Sequence, residues 1–93
     1  MKISKEVKKF AEAMQFEIDK NAHKDNWPEY HNGERSWKTC DILFLIDKLE
    51  EEHTELLLAV KNKEPLINIK REAADVGNIA MMIADRLGAL DAK

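Results

Sequence analysis

Cysteine is nearly missing. The single Cys40 among 93 residues excludes an internal disulfide and fits a reducing compartment. Proline and glycine are scarce, at two and three residues, so few breaks interrupt a chain rich in helix formers. A strong excess of either charge is also lacking. The formal net charge of −3 argues against a general binder of nucleic acid or of acidic membranes. No apolar run approaches the roughly 20 residues that span a bilayer. The opening "MKISKEVKKF" is charged and amphipathic and carries no apolar signal core, so a cytoplasmic protein is expected. What remains is an apolar fraction of 44% beside a charged fraction of 35%. At this length the chain forms one domain, residues 1–93, with a modest core, and self-association is expected.

The pattern predicts an all-α fold. Residues 4–22 place Ile3, Val7, Phe10, Met14 and Ile18 on one helical stripe, with Ser4 as N-cap. The following "HKDNWPEYHNGERSW" (residues 23–37) breaks every period. Trp27 precedes Pro28 and reads as extended, and Asn32-Gly33 reads as a turn, so this is an ordered loop. A second helix starts near Ser36 or Thr39 and runs to about Asn62. "NKEP" is a short break, Pro65 suits the first turn of a third helix, and Gly88 stops it after Leu87. The short break makes helices two and three an antiparallel hairpin. The tail "ALDAK" is expected to fray or to dock on a partner subunit.

"KLEEEHTELLLAV" (residues 48–60) crowds Glu50, Glu51, Glu52 and Glu55 together. Like charges three or four apart on a helix repel by a few tenths of a kcal/mol per pair. At about 100° per residue, Leu45, Leu49, Leu56 and Ala59 fall within about 40° of one direction, with Glu52 among them. Glu55 sits at the edge of that stripe, and Asp47 and Glu50 point away. The third helix repeats the arrangement: Ile69, Val76, Ile79 and Ile83 define its apolar face, with Glu72 at the centre and Asp75 at the edge. Each helix thus offers an acid pair three apart, Glu52/Glu55 and Glu72/Asp75. Acid runs are most often solvated faces, and these four have Lys48, Lys70 and Arg71 as candidate ion-pair partners. Two pairs on two core-facing stripes favour a different reading. Four carboxylates converging there are tolerable with a hard divalent cation among them, for which Mg²⁺ is the first choice.

The order E-x-x-E, short break, E-x-x-D, written here as "EEEHTEL" and "EAADVGNIAMMIADRLG", resembles the MazG-like all-α nucleotide pyrophosphohydrolases, which include dimeric dUTPases. The match covers about residues 45–88. "KNAHKDNW" is similar to a segment of the branch assigned to dATP and dGTP, which often has glycines where this chain has Asp25-Asn26. The resemblance implies Mg²⁺-dependent cleavage of a (deoxy)nucleoside triphosphate, dATP and dGTP among the candidates, to the monophosphate and pyrophosphate. It implies Glu52, Glu55, Glu72 and Asp75 as metal ligands. It also implies homodimers or homotetramers whose four-helix units bury the apolar stripes.

Within that reading, Glu51 or Glu52 orients and deprotonates the attacking water, and by the wheel Glu51 stands well off the apolar face. His23 and Lys24 are candidate contacts to phosphate or base, Arg71 to phosphate, and Trp27 to the base by stacking, more so than Tyr30 or Trp37. Asn78 is either a base or sugar contact or a surface polar residue. Arg86 is expected to pair with an acid, and Gly77 to permit close helix packing. Met81 and Met82 read as core, and Cys40 as a structural thiol. Two rivals stand beside this. One is a di-iron bundle using Glu50-x-x-His53, present in one copy only. The other is a non-catalytic helical interaction or regulatory protein.

Overall fold

A computed structural model describes residues 1–21 and 36–93. Three helices dominate: α1 (Lys5–Lys20), α2 (Ile42–Lys61) and α3 (Leu66–Arg86). Short 3₁₀ turns at Ser36–Lys38 and Ala89–Asp91 flank the α2/α3 pair. There is no strand among the described residues.

Each helix begins and ends where local chemistry directs it. Ser4 caps α1, its side chain accepting from the Val7 amide at 3.3 Å. The second helix starts later than expected. Asp41 is extended at φ −62° and ψ 132°, and its carboxylate accepts from the Leu43 amide at 2.9 Å. That cap separates α2 from the 3₁₀ turn before it. Pro65 is the N-cap residue of α3 and stands one position before its first turn. Gly88, at φ 75°, ends the segment in the left-handed region that favours glycine. The tail forms the second 3₁₀ turn.

α2 and α3 pack along their length as a hairpin closed by the four residues 62–65. The Asn62 amide donates to Leu58 O at 2.9 Å and the Glu64 amide to Ala59 O at 3.0 Å, so the last carbonyls of α2 are satisfied. The core joins Ile18 of α1, Leu45 of α2, and Ile79 and Met82 of α3, with Trp37 and the flanks of Leu49, Met81 and Ile83. Leu45 and Met82 are fully buried, as their wheel positions require.

α1 packs mainly on α3. A Cβ on Gly77 would stand 2.8 Å from Phe10 Cε2 and 3.3 Å from Met14 Sδ, so the missing side chain admits the Phe10 ring, as the close-packing expectation had it. Asn78 is fully buried, and its Nδ2 donates to Met14 O at 2.9 Å. It is a tether between helices, a third role beside the two open in the sequence. Asn78→Ala is expected to lower the unfolding free energy by about 2 kcal/mol, the cost of stranding a buried carbonyl, measured by urea denaturation.

Trp37 is 4% exposed and its Nε1 donates to Asp85 Oδ2 at 2.7 Å, with Lys38 Nζ on the same oxygen at 2.9 Å. This aromatic anchors its segment to the end of α3. Trp37→Phe removes one charge-assisted bond and is expected to cost about 1–2 kcal/mol in the same assay. Arg86 departs from the acid pairing expected for it: its Nη2 approaches Cys40 O at 3.5 Å. Burial raises the Cys40 thiol above its ordinary value, which suits an unreactive thiol.

The protomer leaves much apolar surface uncovered. Ile3, just before α1, and Val7 within it are exposed, so the first half of the sequence-derived stripe is not buried within one chain. On α2, Leu43, Phe44, Leu57, Leu58 and Val60 face outward. No described helix is long and apolar enough to cross a membrane.

Candidate metal centre

The hairpin brings the two acid motifs together. Glu52, in mid α2, is 4% exposed, as its place among Leu45, Leu49 and Ala59 dictates. Glu55 stands one turn on, at the rim. Glu72, in the second turn of α3, faces them across the hairpin. These three glutamates each place a carboxylate oxygen within 4.8 Å of the others. Asp75 lies outside that triad. It is half-buried between the triad and α1, where the charges of Glu17, Lys20 and Arg71 act on it.

The acids are poorly satisfied. Glu52 Oε2, Glu72 Oε2 and Asp75 Oδ1 are buried without a hydrogen-bond partner. Glu52 is pushed up to about 8, first by burial and then by the Glu55 and Asp75 charges. Glu72 is pushed up to about 7, by burial and by Glu55. Asp75 rises to about 6, by burial and then by Glu17, against the lowering effect of Lys20 and Arg71. Three raised carboxyls, all of them under the charge of the neighbouring Glu55, are what a solvated acid face lacks.

The donor set suits a hard divalent cation. It consists of carboxylate oxygens alone, from two packed helices, and two of its members, Glu52 and Glu72, each keep a buried oxygen without a partner.

Other expected residues fall elsewhere. Glu51 is not brought to the triad: its side chain is 62% exposed and pairs with Lys48 at 3.2 Å. Glu50 and His53 are exposed, and neither joins the triad. Arg71 is half-exposed and lies 3.6 Å from Glu17 Oε1. His23, Lys24 and Trp27, with Tyr30, lie outside the described residues.

One residue was missed. Glu17 of α1 is buried at 3% exposure, paired with Lys20 at 3.0 Å and with Arg71, and its charge acts on Asp75. The signal was there. Counting 100° per residue, Glu17 falls about 20° from Phe10, inside the α1 stripe.

No family model, no curated protein and no solved structure matches this chain.

Proposed function

We propose that the protein is a Mg²⁺-dependent nucleoside triphosphate pyrophosphohydrolase, releasing pyrophosphate and a nucleoside monophosphate. The observation that carries this reading is the Glu52/Glu55/Glu72 triad, with buried, unpartnered oxygens on two facing helices. The motif resemblance supports it and supplies the substrate class, with dATP and dGTP foremost. Asp75 completes the proposed set of four acids.

Glu52, Glu55, Glu72 and Asp75 would hold the Mg²⁺, which supplies neutralisation of the acids and of phosphate charge. Glu52 is the acid best placed to serve the attacking water, since it is buried and its Oε2 is unspent. Water oxygen would attack the α-phosphorus, its proton passing to Glu52 Oε2, as the bond from the α-phosphorus to the α–β bridging oxygen breaks and pyrophosphate leaves. The surrounding Leu45, Leu49 and Ala59 exclude bulk water from one side. Glu51, exposed and paired to Lys48, is given no proton-transfer role. His23, Lys24 and Trp27 remain proposed substrate contacts on the resemblance alone.

The outward apolar residues of α2 and the exposed start of α1 support a homodimer or homotetramer that completes four-helix units. The same surface would also serve a non-catalytic helical interaction protein, but that reading gives the stranded carboxylates no purpose. The deciding experiment is pyrophosphate release from a panel of deoxy- and ribonucleoside triphosphates, with Mg²⁺ and with chelator. Turnover that chelator abolishes is expected. A folded sample inactive on the whole panel sinks the proposal.

A further inference from the structure

We infer that Lys20 and Arg71, pinned by the buried carboxylate of Glu17, form a cradle for the terminal phosphates of the substrate on the α1 side of the acid cluster. The inference rests on the proposed triphosphate hydrolysis for the identity of the anion. The geometry of the cradle stands by itself.

Glu17 is 3% exposed, yet both of its partners carry heads that reach solvent. The side chain of Lys20 is 37% exposed and that of Arg71 is 50% exposed. One buried carboxylate thus faces two accessible cations, Lys20 at 3.0 Å and Arg71 at 3.6 Å, so these three side chains carry one positive charge in excess with Asp75 beside them. A pair built only for stability would engage the guanidinium fork, where two parallel bonds are strongest. Here Arg71 approaches Glu17 through Nε, at 3.6 Å. Among the described residues its fork has no other partner, and it is free to take a phosphate through two bonds. The Lys20 ammonium likewise retains donors beyond the one facing Glu17.

The position fits as well. Both cations act on Asp75, and both line the groove between α1 and α3. This groove of about 1100 Å³ is also lined by Glu17 and has an apolar floor that includes Ala13 and Ala74. Over the whole groove lining, Lys9 and Lys70 are matched in number by Glu6 and Glu12, which leaves Lys20 and Arg71 against Glu17. A polyphosphate reaching over Asp75 from the triad would meet the Arg71 fork first. That contact would take up charge on the oxygens that depart as pyrophosphate. Glu17 is a positioning residue in this arrangement, since it acts through Arg71 and Lys20.

The test is calorimetric binding of inorganic tripolyphosphate in the presence of Mg²⁺, with binding of Mn²⁺ alone measured in parallel. Arg71→Ala is expected to weaken tripolyphosphate binding roughly tenfold or more, and Arg71→Lys not to restore it, because a lysine has no fork. Affinity for Mn²⁺ alone is expected to hold within a few-fold. Glu17→Gln should weaken tripolyphosphate binding several-fold. The double variant Glu17→Gln with Arg71→Ala should be weaker than Arg71→Ala alone by less than the effect of Glu17→Gln in the native chain, since the share that acts through Arg71 is already lost and only the share through Lys20 remains. Three results overturn the cradle: no tripolyphosphate binding by the native protein, native-like binding by Arg71→Ala, or fully additive effects of the two substitutions. Arg71 is half-exposed, so its variants keep the fold even where Glu17→Gln disturbs it. Arg71-dependent binding without nucleotide turnover would remove the hydrolase reading and leave the cradle. Turnover with Arg71-independent binding would remove the cradle alone.

Discussion

Glu52→Gln is expected to abolish pyrophosphate release, by about 10²–10⁴-fold, without unfolding the protein. The amide has nearly the shape of the carboxylate, so the packing among Leu45, Leu49 and Ala59 is kept. What disappears is one negative charge from a triad whose oxygens lie within 4.8 Å of one another and the acceptor proposed for the water proton. Because that charge is buried beside Glu55, Asp75 and Glu72, its removal should leave the melting temperature of metal-free protein at pH 8 equal to the native value or higher. The combination is diagnostic, since a variant merely misfolded would lose both. Glu51→Gln is the control. With its carboxylate on Lys48 and in solvent, little change in turnover is expected. Native turnover by Glu52→Gln would refute the proposed site.

Stability of the metal-free protein should fall as pH rises from about 4 to about 8. The ordinary values are 4.5 for Glu52 and Glu72 and 3.8 for Asp75. In the folded chain these groups stand at about 8, about 7 and about 6. The folded state therefore binds more protons than the unfolded state across that window, and the slope of stability against pH is negative there. The stabilisation is fully present below the unfolded values and is gone once pH passes the folded values. Mg²⁺ acts in the opposite sense, because it binds the ionised acids. At pH 8 and a hundredfold excess over its dissociation constant, Mg²⁺ should raise the melting temperature by about 10 °C or more. At pH 5, where protons compete, the rise should nearly vanish. Differential scanning fluorimetry across pH 5–8.5, with chelator and with Mg²⁺, checks both trends. A flat chelator profile with no Mg²⁺ shift would remove the metal centre.

Much of the fold was legible because helical period and caps are local properties. Ser4, the break before Pro65 and Gly88 sit where side-chain chemistry alone puts them. The inward placement of Glu52 and Glu72 followed from their angles among Leu45, Ala59, Ile69 and Ile79. The start of α2 was less legible, since Ser36, Thr39 and Asp41 are all acceptable caps. The choice of Asp41 comes with the tertiary anchoring of Trp37 on Asp85. Glu17 was illegible from the apolar period of α1, because an acid occupies the same stripe as Phe10 and Met14. Arg86 and Asn78 were illegible for a different reason: their partners, Cys40 O and Met14 O, are backbone carbonyls from distant segments, and no spacing within one helix reveals those.

The Asn78 tether reaches beyond the core it sits in. Met14, whose carbonyl it grips, lies one turn before Glu17, so a single amide sets the register at which α1 slides along its neighbour. A slip of one turn would carry the Glu17 carboxylate about 5 Å along the axis, and Lys20 with it. The spacing between a cationic flank and an acidic pocket is thus held in part by one uncharged, fully buried side chain, and under the proposed activity that spacing would set the length of phosphate chain accepted.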